Sequence, residues 1–212
     1  MPLAAMCEAL EGVEPVGDRG RLLRAGGHSI IADCYNSNPG SVEVALRSLA
    51  GLRGQIPGAL VAVLGDMLEL GPTEAALHAD VGALVRELGI DSLITIGERA
   101  REMAEPAALG GVAVTAFAAE AEPTAIAGMA RQLLGARPGA ILFKGSRGIR
   151  LERVVEALMA GPSSFRRDRY STSAPESCRC RRCCAICERS KRSRPWPNSG
   201  RIASSPSLGV SW

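Results

Sequence analysis

Three consecutive pieces of the chain decide the fold: Ala59-Leu60-Val61-Ala62-Val63-Leu64, the longer run from Thr73 to Leu88, and Ser92-Leu93-Ile94-Thr95-Ile96. The outer two are short, near-continuous apolar runs, the pattern of strands that helices cover on both faces. The middle one is amphipathic at helical spacing and long enough to cross over between two parallel strands. Working outward, strands are predicted at His28–Cys34, Val112–Phe117 and Ala140–Lys144, and helices at Ser41–Leu52, Gly97–Glu105, Pro123–Leu134 and Arg150–Met159. Pro123 suits a first helical turn, while Gly89 and Gly135 suit helix ends. The expected architecture is α/β: a doubly wound, mostly parallel sheet of about five to six strands with helices on both faces, Rossmann-like. Aromatic residues are only 3% of the 212, so Ala, Val, Leu and Ile must build the core.

Charge and cysteine divide the chain. Residues 1–164 hold 14 of the 25 Lys and Arg and 19 of the 22 Asp and Glu, a net charge of −5; the remainder carries +8. The overall +3 is therefore no sign that the folded part binds nucleic acid. Cys7 and Cys34 lie in the acidic body, whereas Cys178, Cys180, Cys183, Cys184 and Cys187 crowd the tail. Met1–Glu14 has no basic n-region and fails as a signal peptide, and no run of about 18 apolar residues could span a bilayer. A cytoplasmic protein with reduced thiols and no membrane partner is expected. Pro2–Leu10 reads as a short helix, Val13–Ala25 as a linker, 26–162 as the folded domain, and 163–212 as a segment with little stable structure. Zinc on Cys180-x-x-Cys183 and Cys184-x-x-Cys187 is disfavoured, because the pairs adjoin with no loop between them. An Arg, Ser, Pro and Cys-rich run is also what a GC-rich gene yields in the wrong frame, which is the preferred reading of the tail.

Ligands of open α/β sheets bind beyond the carboxyl ends of the strands, where loops converge and helix amides point outward. After the first predicted strand comes Asp33-Cys34-Tyr35-Asn36-Ser37-Asn38-Pro39, able to hydrogen-bond a sugar or base edge, or simply to form a turn. After the next comes Gly65-Asp66-Met67-Leu68-Glu69-Leu70-Gly71, with two acids that either orient an amine nucleophile or serve as a turn cap and a solvated charge. His78 follows in a helix, where a lone histidine is more often structural. Lys144-Gly145-Ser146-Arg147-Gly148 then sets a hydroxyl and a guanidinium between glycines, a receptacle for a carboxylate or phosphate, or a basic flexible loop. It is not a phosphate-cradling Gly-Lys-Ser/Thr loop, and neither Lys144 nor Lys191 stands in such a sequence.

The order of these three loops, with Gly20-Arg21 before them, Val81-Gly82 after His78, and Leu151-Glu152 at the end, resembles the C-terminal domain of the Mur ligase family. The likeness is to the branch that joins D-alanyl-D-alanine to UDP-N-acetylmuramoyl-tripeptide, and it covers about residues 10–160. It implies an ATP-dependent ligation: ATP phosphorylates the tripeptide carboxylate, the dipeptide amine attacks the acyl phosphate, and the tetrahedral intermediate collapses. It further implies that ATP and Mg2+ are held mainly by a central domain, of which residues 1–25 would be the remnant and hinge. Arg21, Asp33, Asn36 and Asn38 would then meet the nucleotide. Asp66, Glu69, Lys144, Ser146 and Arg147 would serve the dipeptide or the phosphate side. Two departures stand out locally: Ala32 precedes Asp33 where the family has a second acid, and Ser37 replaces a common Ala.

On this reading the chain is a monomeric fragment of a cell-wall ligase, inactive alone, because the parts that position phosphates are missing. The rivals are a stand-alone nucleotide or dipeptide binding module, and a protein whose basic Cys-rich tail binds nucleic acid or zinc.

Overall fold

The structure, a computed structural model, describes residues 19–161. The expected helix at Pro2–Leu10 and the expectations for residues 163–212 lie outside them. Six strands form one sheet: β1 (Arg21–Ala25), β2 (His28–Asp33), β3 (Leu60–Gly65), β4 (Ser92–Ile96), β5 (Ala113–Phe117) and β6 (Ala140–Lys144). Five helices accompany them: α1 (Pro39–Ala50), α2 (Glu74–Glu87), α3 (Ala104–Ala108), α4 (Pro123–Leu134) and α5 (Glu152–Met159). The spatial order is β1-β2-β6-β3-β4-β5, parallel throughout except that β1 runs antiparallel to β2. The doubly wound sheet is as expected.

Handedness distributes the helices. From β2 to β3, β4 and β5 the chain steps across the sheet in one direction; from β5 to β6 it steps back. Right-handed crossovers therefore put α1, α2 and α3 on one face and α4 on the other. The core confirms this with two layers. Val61, Val63, Ile94, Ile96, Ile141 and Phe143 meet α4 and α5 through Ile126, Ala130, Val154 and Leu158. The alternate residues Leu60, Ala62, Leu64, Leu93 and Leu142 meet α1 and α2 through Leu46, Leu49, Val81 and Val85. All of β3, β4 and β6 is buried, which explains their lack of polar alternation. Each fully buried Leu, Ile or Phe contributes about 1.5–3 kcal/mol.

Two segments differ from the sequence expectation. Arg21–Ala25, read as linker, is an edge strand, its register to β2 set by a tight turn at Gly26 and Gly27, both at positive φ. A five-residue strand exposed at its start carries no buried alternation to read. The helix expected over Gly97–Glu105 is a 3-10 turn at Arg99–Met103 running into α3. Pro106 lacks the amide that would continue an α-helical ladder back into that turn. Gly89 and Gly135 do close α2 and α4 at positive φ.

Among the described residues two side-chain hydroxyls are buried without a hydrogen-bond partner, Ser37 Oγ and Thr95 Oγ1. A desolvated, unpaired hydroxyl is unfavourable by about 1–3 kcal/mol. Ser37→Ala and Thr95→Val are therefore expected to leave stability unchanged or raise it by about 1 kcal/mol each, a gain of roughly 2–4 °C in calorimetry. A loss of stability in both would show that the hydroxyls have partners.

Candidate functional site

β6 lies between β2 and β3. The chain leaves β2 and β3 toward the α1–α2 face and leaves β6 toward α5, so the loops part above the sheet's carboxyl edge, the place where such folds bind ligands. The three loops singled out in the sequence meet on this one rim.

Lys144, the last residue of β6, pairs in register with Asp33, the last of β2. Its Nζ donates to Asp33 Oδ2 at 2.6 Å and to the Asn36 carbonyl at 2.9 Å, and the residue is 2% exposed. Expected as a ligand group, Lys144 instead points into the junction of two loops. Asn38 caps α1: its Oδ1 accepts from Ser41 N–H at 2.9 Å, and Ser41 Oγ accepts from Asn38 N–H at 3.1 Å. Asn36 Oδ1 accepts from Ser37 N–H at 2.8 Å. Both carboxamide oxygens thus serve the backbone, and both exposed residues keep their NH2 groups to offer outward.

The β3 loop is laced to its neighbours. Ser146 N–H donates to the Asp66 carbonyl at 3.0 Å, and Ser146 Oγ accepts from Leu68 N–H at 2.9 Å. Asp66 Oδ1 accepts from Ala100 N–H at 2.7 Å, capping the 3-10 turn, while Oδ2 lies 3.8 Å from Arg99. Arg99 also binds Glu74 at 2.7 Å, and this hydrogen bond, ahead of the glutamate's charge, raises the Arg99 pKa. Gly97, at φ +111°, leaves room for the Asp66 carboxylate; a Cβ there would sit 2.5 Å from its Cγ. The Asp66 carboxylate thus serves as a turn cap, one of the two roles its sequence position allows. His78 is fully buried: Nε2 accepts from Met67 N–H at 3.0 Å and Nδ1 faces the Glu74 carbonyl at 2.6 Å. With both nitrogens engaged by backbone, His78 holds the β3 loop onto α2. Glu69 is exposed at φ +65°, a strained setting for a residue with a Cβ.

Two residues that the sequence reading gave no role complete the rim. Tyr35 is 40% exposed, with the Arg19 guanidinium 3.9 Å from its ring centroid and that of Arg147 at 5.4 Å. Among the described residues neither arginine has a carboxylate partner. Hydrogen bonding by Arg19, then the charges of Arg19 and Arg147, lower the Tyr35 pKa from its ordinary 10.0. The phenol should accordingly ionise below 10 when absorbance at 295 nm is followed against pH. Arg19→Ala should return it toward 10, and Tyr35→Phe identifies the signal against Tyr170. Arg19 was unreadable because its partner lies in another loop; Tyr35 lay in the quoted loop but drew no reading of its own. Arg21 lines a separate groove of about 390 Å³ with Leu23, Glu152, Val155, Glu156 and Met159.

Among the described residues no three His, Cys, Asp or Glu side chains converge as metal ligands, and no helix is long and apolar enough to cross a membrane.

Comparison with known proteins places this rim in context. The profile of the family described as "Mur ligase, glutamate ligase domain" matches residues 19–147. The UDP-N-acetylmuramoyl-tripeptide--D-alanyl-D-alanine ligase of Bacillus subtilis is 34% identical over 158 residues, 74% of this chain and 34% of the relative. That of Escherichia coli is 34% identical over 130 residues, 61% of this chain and 26% of the relative. A crystal structure of MurF from Acinetobacter baumannii superimposes with TM-score 0.62 at 30% identity, covering 76% of this chain and 34% of that one. The chain spans about a third or less of the length of these curated relatives.

Proposed function

The chain belongs to the Mur ligase family through its glutamate ligase domain, and from that premise we propose that it is the closing, C-terminal part of an ATP-dependent ligase of peptidoglycan precursor synthesis. The reaction is the joining of D-alanyl-D-alanine to UDP-N-acetylmuramoyl-tripeptide through an acyl phosphate, in the cytoplasm. One observation carries the reading: the loops after β2, β3 and β6 share a single rim that presents two guanidiniums, without carboxylate partners among the described residues, astride an exposed tyrosine. Unbalanced guanidiniums beside an aromatic face suit an anionic ligand with a planar group, such as a nucleotide.

On this reading Asn36 and Asn38 turn their amide donors to the nucleoside, Asp33 flanks it, and Arg147 meets phosphate or the incoming carboxylate; Arg21, expected beside the nucleotide, lines the separate groove against α5 and is given no part in this rim. Asp66, Ser146 and Glu69 shape the dipeptide side, the first two through the loops they hold together. ATP supplies the activating phosphoryl group. The donor set here does not fit Mg2+: Asp33 is tied to Lys144, and Asp66 to Ala100 and Arg99. We assign the metal and the phosphate-cradling loop to a central domain; of residues 1–25, expected as its remnant and hinge, Arg21–Ala25 instead joins the sheet as β1. Residues up to 162 form the closing domain, and the remaining tail has no part in the reaction.

Titration calorimetry of the purified chain with ADP and with D-alanyl-D-alanine tests this. Binding of both is expected, with ADP weakened by Arg147→Ala, and with no phosphate released from ATP. Failure to bind either ligand sinks the reading, and turnover by the chain alone sinks the assignment of phosphate handling to another domain.

A further inference from the structure

We infer that Lys144 is a positioning residue: it ties the β6 loop to the β2 loop and sets how Tyr35 and Asn36 face a nucleoside, without touching the ligand itself. The inference rests on the nucleotide-side reading of the β2 loop given above.

A lysine ordinarily lays its stem on apolar surface and keeps the ammonium in water. Here the whole residue is 2% exposed, on the central strand, and a buried ammonium is tolerated only when paired and hydrogen-bonded. Two of its three donors are used within the protein, on Asp33 Oδ2 at 2.6 Å and on the Asn36 carbonyl at 2.9 Å. The second bond matters more for function. A carbonyl held at Asn36 fixes the Asn36–Ser37 peptide plane, and with Asp33 anchored on the same ammonium both ends of the Asp33–Asn36 stretch are pinned, which sets the direction in which the Tyr35 ring between them and the Asn36 amide leave the loop. The same strand end leads through Gly145 and Ser146 to Arg147, whose guanidinium lies 5.4 Å from the Tyr35 ring centroid. Lys144 thus joins the two halves of the rim that hold the phenol and the guanidinium in register. A ligand could reach Nζ only if the β2 loop were displaced, undoing the arrangement that makes the rim a site.

Lys144→Met keeps the stem and removes the donors. Affinities for adenosine and for ADP, measured by calorimetry below the melting transition, are expected to fall by the same factor, about tenfold. If Lys144 contacts phosphate directly, ADP weakens while adenosine does not, which overturns the inference. If its role is only to stabilise the fold, both affinities stay at the wild-type value, and this overturns it too. Lys144→Gln, which can still donate to Asn36, should regain part of the affinity and carries the test if the methionine variant does not fold. Should the wild-type chain bind neither ligand, the functional reading fails, but the Tyr35 titration still decides the positioning. A return of the phenol toward its ordinary pKa in Lys144→Met supports it, and an unchanged titration overturns it.

Discussion

Gly82→Ala is expected to destabilise the domain by about 1–2 kcal/mol, or to prevent folding if the backbone cannot give, even though alanine is the better helix former. Two effects oppose each other. Removing a glycine from the middle of α2 should favour the helix by about 1 kcal/mol. A Cβ at this position, however, would clash with the Met103 carbonyl oxygen and lie 2.8 Å from the Met103 carbonyl carbon and Cα. These are backbone atoms in the 3-10 turn that Asp66 caps, and they cannot swing aside as a side chain would. Overpacking of this kind is unfavourable by about 1–3 kcal/mol, occasionally more, so the clash wins. Gly128→Ala on α4 is the control, because an added Cβ there meets nothing within 4 Å. It should stabilise by about 0.5–1 kcal/mol. Urea midpoints of the two variants should move in opposite directions with an unchanged slope.

The second large effect falls on the rim. Lys144→Ala should lower stability by about 2–3 kcal/mol, since it strands the Asp33 carboxylate and leaves the Asn36 carbonyl without its donor. Removing one partner of a buried pair is unfavourable by about 3–5 kcal/mol; the Asp33 side chain is 24% exposed, so water replaces part of what is lost. Combining Lys144→Met with Asp33→Asn removes the stranded charge as well and should destabilise by less than the sum of the two single changes. Additive losses in that cycle would mean that the two groups are not coupled, contrary to the 2.6 Å bond.

Much of the site was legible because chemistry and turn residues coincide at strand ends. Gly145 and Gly148 around Ser146-Arg147 mark a loop at a strand's carboxyl edge, whereas the capping of α1 by Asn38, three residues before the helix start read at Ser41, came with the structure. What could not be read is which of those polar side chains face inward. Asp66 looked as fit to orient an amine as to cap a turn, and only Ala100, 34 residues on, shows what its carboxylate does. His78 was ambiguous for the same reason, its two partners belonging to different elements.

The α/β layering, the doubly wound sheet and the places of the loops follow from the sequence alone, because hydrophobic period and turn chemistry act over a few residues and repeat along the chain. The strand status of Arg21–Ala25, the inward turn of Lys144 and the pairing of Arg19 with Tyr35 came only with the tertiary structure. The Lys144–Asp33 bond joins residues 111 apart, and no local pattern encodes a contact that exists only once β6 has come back to lie between β2 and β3.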